Sequence, residues 1–174
     1  MEPASRIRIP FGRIAVALVG LAAVLPYMST LDTPFLLDDV RAVEENPNVI
    51  GDFDPARLAT SNAWGNAYGY ENIPNYRPLS VLTLAATHAV VGLEPVAYRV
   101  VNVLLYAALC IAVFLLLLRL GVSRVAALAA GLGFALHPVH VEAVAFAVNR
   151  EELLAGLFFL GEAWIVLKIG RAHV

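Results

Sequence analysis

The sequence predicts an all-α, polytopic integral membrane protein with about four transmembrane helices and one large outer loop containing an interfacial helix. The first observation behind this is composition. Of 174 residues, 60% are hydrophobic and 15% charged, against roughly 45–50% and about 25% in ordinary soluble domains. The second is patterning, because the apolar residues gather into runs too long for strands. The third is the placement of Arg and Lys, which fall on one side of a bilayer if the runs alternate across it. A formal net charge of −2, with no dense basic stripe, gives no reason to expect nucleic acid as a partner. The single cysteine, Cys110, lies inside an apolar run and cannot form an internal disulfide.

A hydrocarbon core about 30 Å thick asks for about 20 apolar residues per helix. The first span, 14–28, is short, and Phe11, Gly12 and Leu31 extend it. No small-residue cleavage pattern follows Pro26-Tyr27-Met28, so it reads as a retained anchor. Residues 29–98 form the outer loop, whose aromatics, prolines and charges are too irregular for a Gly/Ser linker. Within it, Leu79 to Leu93 starts after Pro78, ends near Gly92 and intersperses Ser80, Thr83, Thr87 and His88 among apolar residues, which suits a helix lying in the interface. The second span, 100–118, has Asn102 as its one polar side chain and is bracketed by Arg99 and Arg119. The third, 125–148, passes through His137-Pro138-Val139-His140-Val141-Glu142. The fourth, 153–167, carries Glu162, which is expected to face neighbouring helices.

Alternation of the four spans puts Arg6, Arg8, Arg13, Arg119, Arg124 and Lys168 on the cytoplasmic side with the N-terminus. It puts the acidic loop and the Asn149-Arg150-Glu151-Glu152 turn outside. Gly131 and Gly133, with Ala127, Ala129 and Ala130, fit close helix packing; a Gly-x-Gly with no strand before it is not a nucleotide fingerprint. His88 and Cys110 are assigned to packing. Spans this rich in Ala and Gly suggest a bacterial inner membrane, with membrane lipid as the surrounding partner.

Four groups of residues can carry chemistry. Asp38-Asp39, close to the outer end of the first span, can act as a general base on a hydroxyl or hold a divalent cation; the same pair also serves as a solvated acidic turn or helix cap. Arg77, just before Pro78 at a helix start, suits an anion, or equally snorkels to the lipid headgroups. His137 and His140 share a helix face, but Glu142 points about 140° from His137 on a regular helix, so a zinc site requires Pro138 to break the helix. Otherwise His137 and Glu142 contact substrate or phosphate or order the Asp pair, or the residues form a polar patch at the helix end. Arg150 pairs with a local acid or helps bind a pyrophosphate.

Three blocks in this order resemble the N-terminal part of a type-C glycosyltransferase, specifically the transmembrane and tetratricopeptide-repeat O-mannosyltransferase-like family and its bacterial relatives. They are Phe35 to Val40, Tyr76-Arg77-Pro78-Leu79 leading through Tyr98-Arg99-Val100-Val101-Asn102-Val103-Leu104-Leu105, and His137 to Val144 followed by Asn149-Arg150-Glu151. The resemblance implies sugar transfer from a polyprenyl-phosphate donor to a hydroxyl acceptor on protein or another molecule. It implies Asp38 as catalytic base or metal ligand with Asp39 as helper. It places Arg77, His137, Glu142 and Arg150 at the donor site, with His140 among the substrate-binding residues.

The family has many more spans and a C-terminal helical repeat region that helps bind a protein acceptor, and neither lies in these residues. Residues 1–168 are therefore expected to be an N-terminal fragment, inactive alone. Residues 169–174 read like a translated sequencing adapter, which inspection of the encoding DNA checks. The alternative class is a non-enzymatic four-span assembly protein or part of a transporter. Transporters place ionisable groups near the midplane in broken helices, whereas the charged candidates here cluster towards one surface.

Overall fold

A computed structural model describes residues 11–66 and 74–170, so Arg6, Arg8 and the end of the adapter-like tail lie outside the described residues. Among the described residues every regular element is helical. Helix α1, Phe11–Val24, is almost wholly apolar. Near Pro26, which has no N–H to give a helix ladder, the chain continues as a 3₁₀ stretch, Leu25–Thr30.

The outer segment then folds through a π-turn, Val40–Glu44, and two short helices, α2 (Pro47–Ile50) and α3 (Pro55–Thr60). Both start by the same local rule. Proline occupies the first turn, where an N–H would lack a partner, and the residue before it caps: Asn46 accepts from the N–H of Asn48, and Asp54 from those of Ala56 and Arg57. The expected interfacial helix is α4, Pro78–Val91, begun by Pro78 and ended by Gly92 at φ +69°, a conformation that disfavours a side chain. It meets both α5 (Pro95–Arg119) and α8 (Arg150–Gly170).

Helix α5 is the axis of the bundle, packed against α1, α8 and α6 (Arg124–Ala135). Its inward stripe of Tyr106, Cys110 and Phe114 is fully buried with Val19 of α1 and Ala127 of α6. The expected continuous third span is broken. Pro138 starts a 3₁₀ turn, Pro138–His140, which leads into α7, Val141–Ala145, and the two halves are bent by 44°.

Among the described residues two helical stretches are, by length and composition, fit to cross a membrane, Phe11–Thr30 and Pro95–Arg119, and a third if the bent pair counts as one span. The expectation of four is met only to that extent. In α8 the apolar run after Glu151 and Glu152 is interrupted by Glu162 and again by Lys168. Glu162 is exposed on the outer face of the described bundle rather than turned into it.

Close packing is confirmed at one of the two glycines proposed for it. A Cβ on Gly131 would lie 3.3 Å from both Phe114 Cβ and Val19 Cγ2, while Gly133 has open space around it. Gly131→Val is therefore expected to cost about 1–3 kcal/mol through overpacking. Gly133→Val, with the same change in helix propensity, is the control; the difference is read as a melting-temperature drop confined to the first variant.

Candidate functional site

At the end of the bundle that carries the segment after the first span, four polar side chains are buried together, a costly arrangement that asks for partners. Asp39, Asn102 and Arg150 are 0% exposed and Arg99 is 3% exposed. Arg150, at the start of α8, donates from Nε to Asn102 Oδ1 (2.8 Å), from Nη1 to the Thr83 carbonyl (3.0 Å) and Thr87 Oγ1 (3.1 Å), and from Nη2 to the Tyr98 carbonyl (3.1 Å). One guanidinium thereby ties α4, α5 and α8 together. Asn102 passes the connection on, donating from Nδ2 to the Phe146 carbonyl (2.8 Å).

Arg99, one turn earlier on α5, does the same for the loop after the first span. It donates from Nη2 to the Pro34 carbonyl (2.7 Å), from Nη1 to that of Thr33, and from Nε to that of Ala145 (3.2 Å). Its Nη2 also lies 3.8 Å from Asp39 Oδ2. Asp39 Oδ1 in turn accepts from the backbone N–H of Val148 (2.9 Å), 109 residues further along. The acidic loop is thus pinned to the chain that joins α7 to α8.

The two aspartates part company here. Asp39 is buried, whereas Asp38 faces outward. Between the buried Phe35 and this pair, Leu37 takes φ +53° while 78% exposed, a left-handed conformation that costs a branched L-residue roughly 1–2 kcal/mol. The corner is held because Phe35, edge-on to Tyr98 at 5.3 Å, and Asp39 anchor it on both sides. The two carboxylates of the expected pair therefore have different surroundings, Asp39 held by Val148 and Arg99 and Asp38 exposed. Asp39 is a structural acceptor with no face towards solvent, and among the described residues no group of three or more His, Cys, Asp or Glu side chains is gathered to hold a metal ion.

Burial is the main influence on the Asp39 carboxyl and holds it above its ordinary value of 3.8, against the opposing pull of the Val148 and Ala147 N–H groups and of Arg99. A raised folded-state pKa means the folded protein binds this proton more tightly than the unfolded chain. Its contribution to stability is complete below the ordinary carboxylate value and disappears as pH rises through the raised one. In detergent micelles, the melting temperature of the wild type relative to Asp39→Asn is expected to rise as pH is lowered through that window. A difference that is flat with pH contradicts the assignment.

The remaining predicted residues have different surroundings. Arg77 pairs with Glu151, whose other oxygen lies 3.4 Å from Ser80 Oγ. Glu142 is exposed, and its carbonyl accepts from Asn149 Nδ2 (3.3 Å). His137 is exposed and uses Nδ1 to accept the N–H of Val139 (3.2 Å); the His140 ring leans on Phe134 with centroids 4.4 Å apart. The two imidazoles are 6.2 Å apart between centroids. Arg150 corrects the expectation most clearly. It pairs with no local acid, and its donors are taken up by uncharged groups of the protein, so it does not present itself to a headgroup. Arg99 and Asn102 were not expected as site residues, although a lone Asn inside the most apolar span and an Arg at its edge are the kind of residue that marks a polar contact within a membrane.

Comparison with known proteins places this arrangement. Neither a family model nor a solved structure matches the chain. Curated proteins do: the chain is 38% identical over 142 residues to the protein O-mannosyl-transferase Tmtc1 of Drosophila melanogaster, covering 81% of this chain and 16% of that protein. It is 38% identical over 146 residues to human TMTC2, covering 82% and 17%, and 34% identical over 161 residues to human TMTC4, covering 84% and 22%. The matched part is therefore about one-sixth to one-fifth of each relative's length. With identities above 30% across four-fifths of its length, the chain belongs to the TMTC family of protein O-mannosyl-transferases.

Proposed function

We propose that this segment supplies the catalytic base and the donor-facing outer corner of a membrane glycosyltransferase that moves a sugar from a polyprenyl-phosphate donor to a hydroxyl acceptor on protein. Asp38 takes the proton of the acceptor hydroxyl as its oxygen attacks the anomeric carbon. The bond from that carbon to the phosphate oxygen breaks, and the electron pair leaves with the polyprenyl phosphate. Arg77 stabilises the charge left on the phosphate. His137, His140 and Glu142 line the same corner towards the sugar and water. The N-terminus lies on the cytoplasmic side and the site on the opposite face. A bacterial inner membrane suits the Ala- and Gly-rich spans, the named relatives being animal proteins.

The observation that carries this reading is the strained corner at Leu37, which turns Asp38 outward while Asp39 is locked against Val148 and Arg99. Strain of this kind persists where surrounding contacts over-determine it, and it is found at sites where a group must be presented. The test is sugar transfer from polyprenyl phosphomannose to an acceptor peptide, by a full-length protein carrying this segment, with and without Asp38→Asn. Unchanged transfer overturns the base assignment.

A further inference from the structure

The groove between the start of α4 and the first turns of α8 has one charged end and one apolar end. Its volume is about 270 Å³; Leu79, Leu154 and Phe158 form walls, and the Arg77–Glu151 pair with Ser80 closes the outer end. Glu151, Leu154 and Phe158 are spaced three and four apart, so they form a single stripe on α8. Below them the same face carries the exposed Glu162 and then the exposed Ile165 and Ile169.

The charged end is built for one anion. Arg77 presents a guanidinium and Ser80 a hydroxyl to it, and α4 starts here with no side chain capping it. The anion in that place is the chain's own Glu151 carboxylate, which carries one negative charge. A lipid phosphodiester also carries one, on a head joined to a long apolar tail. It can replace Glu151 charge for charge, with its tail on the stripe.

We propose that Glu151 is a resident placeholder for the donor phosphate: the phosphodiester of a polyprenyl phosphosugar displaces the Glu151 carboxylate from Arg77 and lays its prenyl chain along the Leu79–Leu154–Phe158 groove. This rests on the donor class proposed above and adds a built-in competitor that sets donor affinity. Exchange of one charge-assisted partner for another explains why an arginine needed for an anion is already paired, half-exposed, at the mouth of an apolar groove.

The test is binding of polyprenyl phosphomannose to the full 174-residue chain in detergent, followed by native mass spectrometry, with phosphatidylglycerol as the comparison lipid. Glu151→Gln is expected to tighten polyprenyl phosphomannose binding by about three- to tenfold, and Arg77→Gln to weaken it by about tenfold. Phe158→Ala weakens the lipid but leaves binding of water-soluble mannose phosphate unchanged. Glu151→Ala repeats the first measurement if the glutamine variant loses its native melting transition. Affinity that is unchanged or weaker without the carboxylate overturns the proposal, as does phosphatidylglycerol binding equally well. Loss of transfer on Asp38→Asn with donor binding indifferent to Glu151 removes this inference alone. Transfer that survives Asp38→Asn, with donor binding still governed by Arg77 and Glu151, removes the base assignment alone.

Discussion

Asp38→Asn is expected to reduce sugar transfer by about 10²–10⁴-fold, the usual range for loss of a positioned general base, while the same change at Asp39 acts through folding. The two substitutions are chemically identical and one residue apart, so the contrast isolates position. Asp38 is exposed and its replacement leaves every described hydrogen bond in place. Asp39→Asn keeps an oxygen for the Val148 N–H but loses the charge facing Arg99 at 3.8 Å. Its effect should appear as a shifted melting temperature and a more mobile outer loop, with transfer falling in proportion to the population of the native corner. Two measurements separate the roles. The melting transition of Asp38→Asn should match the wild type, and the transfer rate of Asp39→Asn per folded molecule should match that of the wild type at the same pH. If Asp39→Asn abolishes transfer while melting as the wild type does, the assignment of base and anchor is reversed.

Helix existence and type were legible in the sequence because long apolar runs and prolines at helix starts dominate local structure. Pro78 and Gly92 bracket α4 as expected, and α5 covers the clearest run with a turn to spare at its start. The break in the third span was legible only as a condition on Pro138, since a proline in an apolar run kinks or ends a helix according to what packs beside it. The site was legible as a neighbourhood but not as a division of labour. Asp39 and Glu142 meet the chain between α7 and α8 at Val148 and Asn149, Arg77 meets Glu151 in the first turn of α8, and Arg150 reaches Asn102 of α5. Which aspartate faces water depended on the left-handed turn at Leu37, a residue whose type gives no hint of it. The structural use of Arg150 likewise required acceptors from helices 48 to 67 residues away, and no local spacing encodes those.

Removing Arg150 should therefore be the most damaging single change to stability outside the apolar core. Arg150→Met keeps much of the side-chain volume and deletes the donors. Asn102 Oδ1 would lose its partner in a fully buried place, at about 1–3 kcal/mol, while the Thr83 and Tyr98 carbonyls lie within helices, Thr83 also keeps the Thr87 hydroxyl, and each loses one donor at about 0.5–1.5 kcal/mol. Part of that cost is offset, because the variant no longer buries a guanidinium that lacks a bound carboxylate. A net loss of about 2–4 kcal/mol is expected, a large fraction of the roughly 5–15 kcal/mol typical of a domain. Arg150→Lys should recover little, since one ammonium cannot fork towards Asn102, Thr83 and Tyr98 at once. The damage should also be local. Hydrogen exchange should rise across α4 and the first turn of α8, whose docking depends on the guanidinium, while the α1–α5–α6 interior around Val19 and Phe114 keeps its protection. Asn102→Leu combined with Arg150→Met should cost less than the sum of the two alone, because the leucine removes the orphaned acceptor. Strict additivity, or loss of protection spread evenly over all helices, would mean that the three helices are held by apolar contact alone and that the buried arginine is incidental to the outer corner.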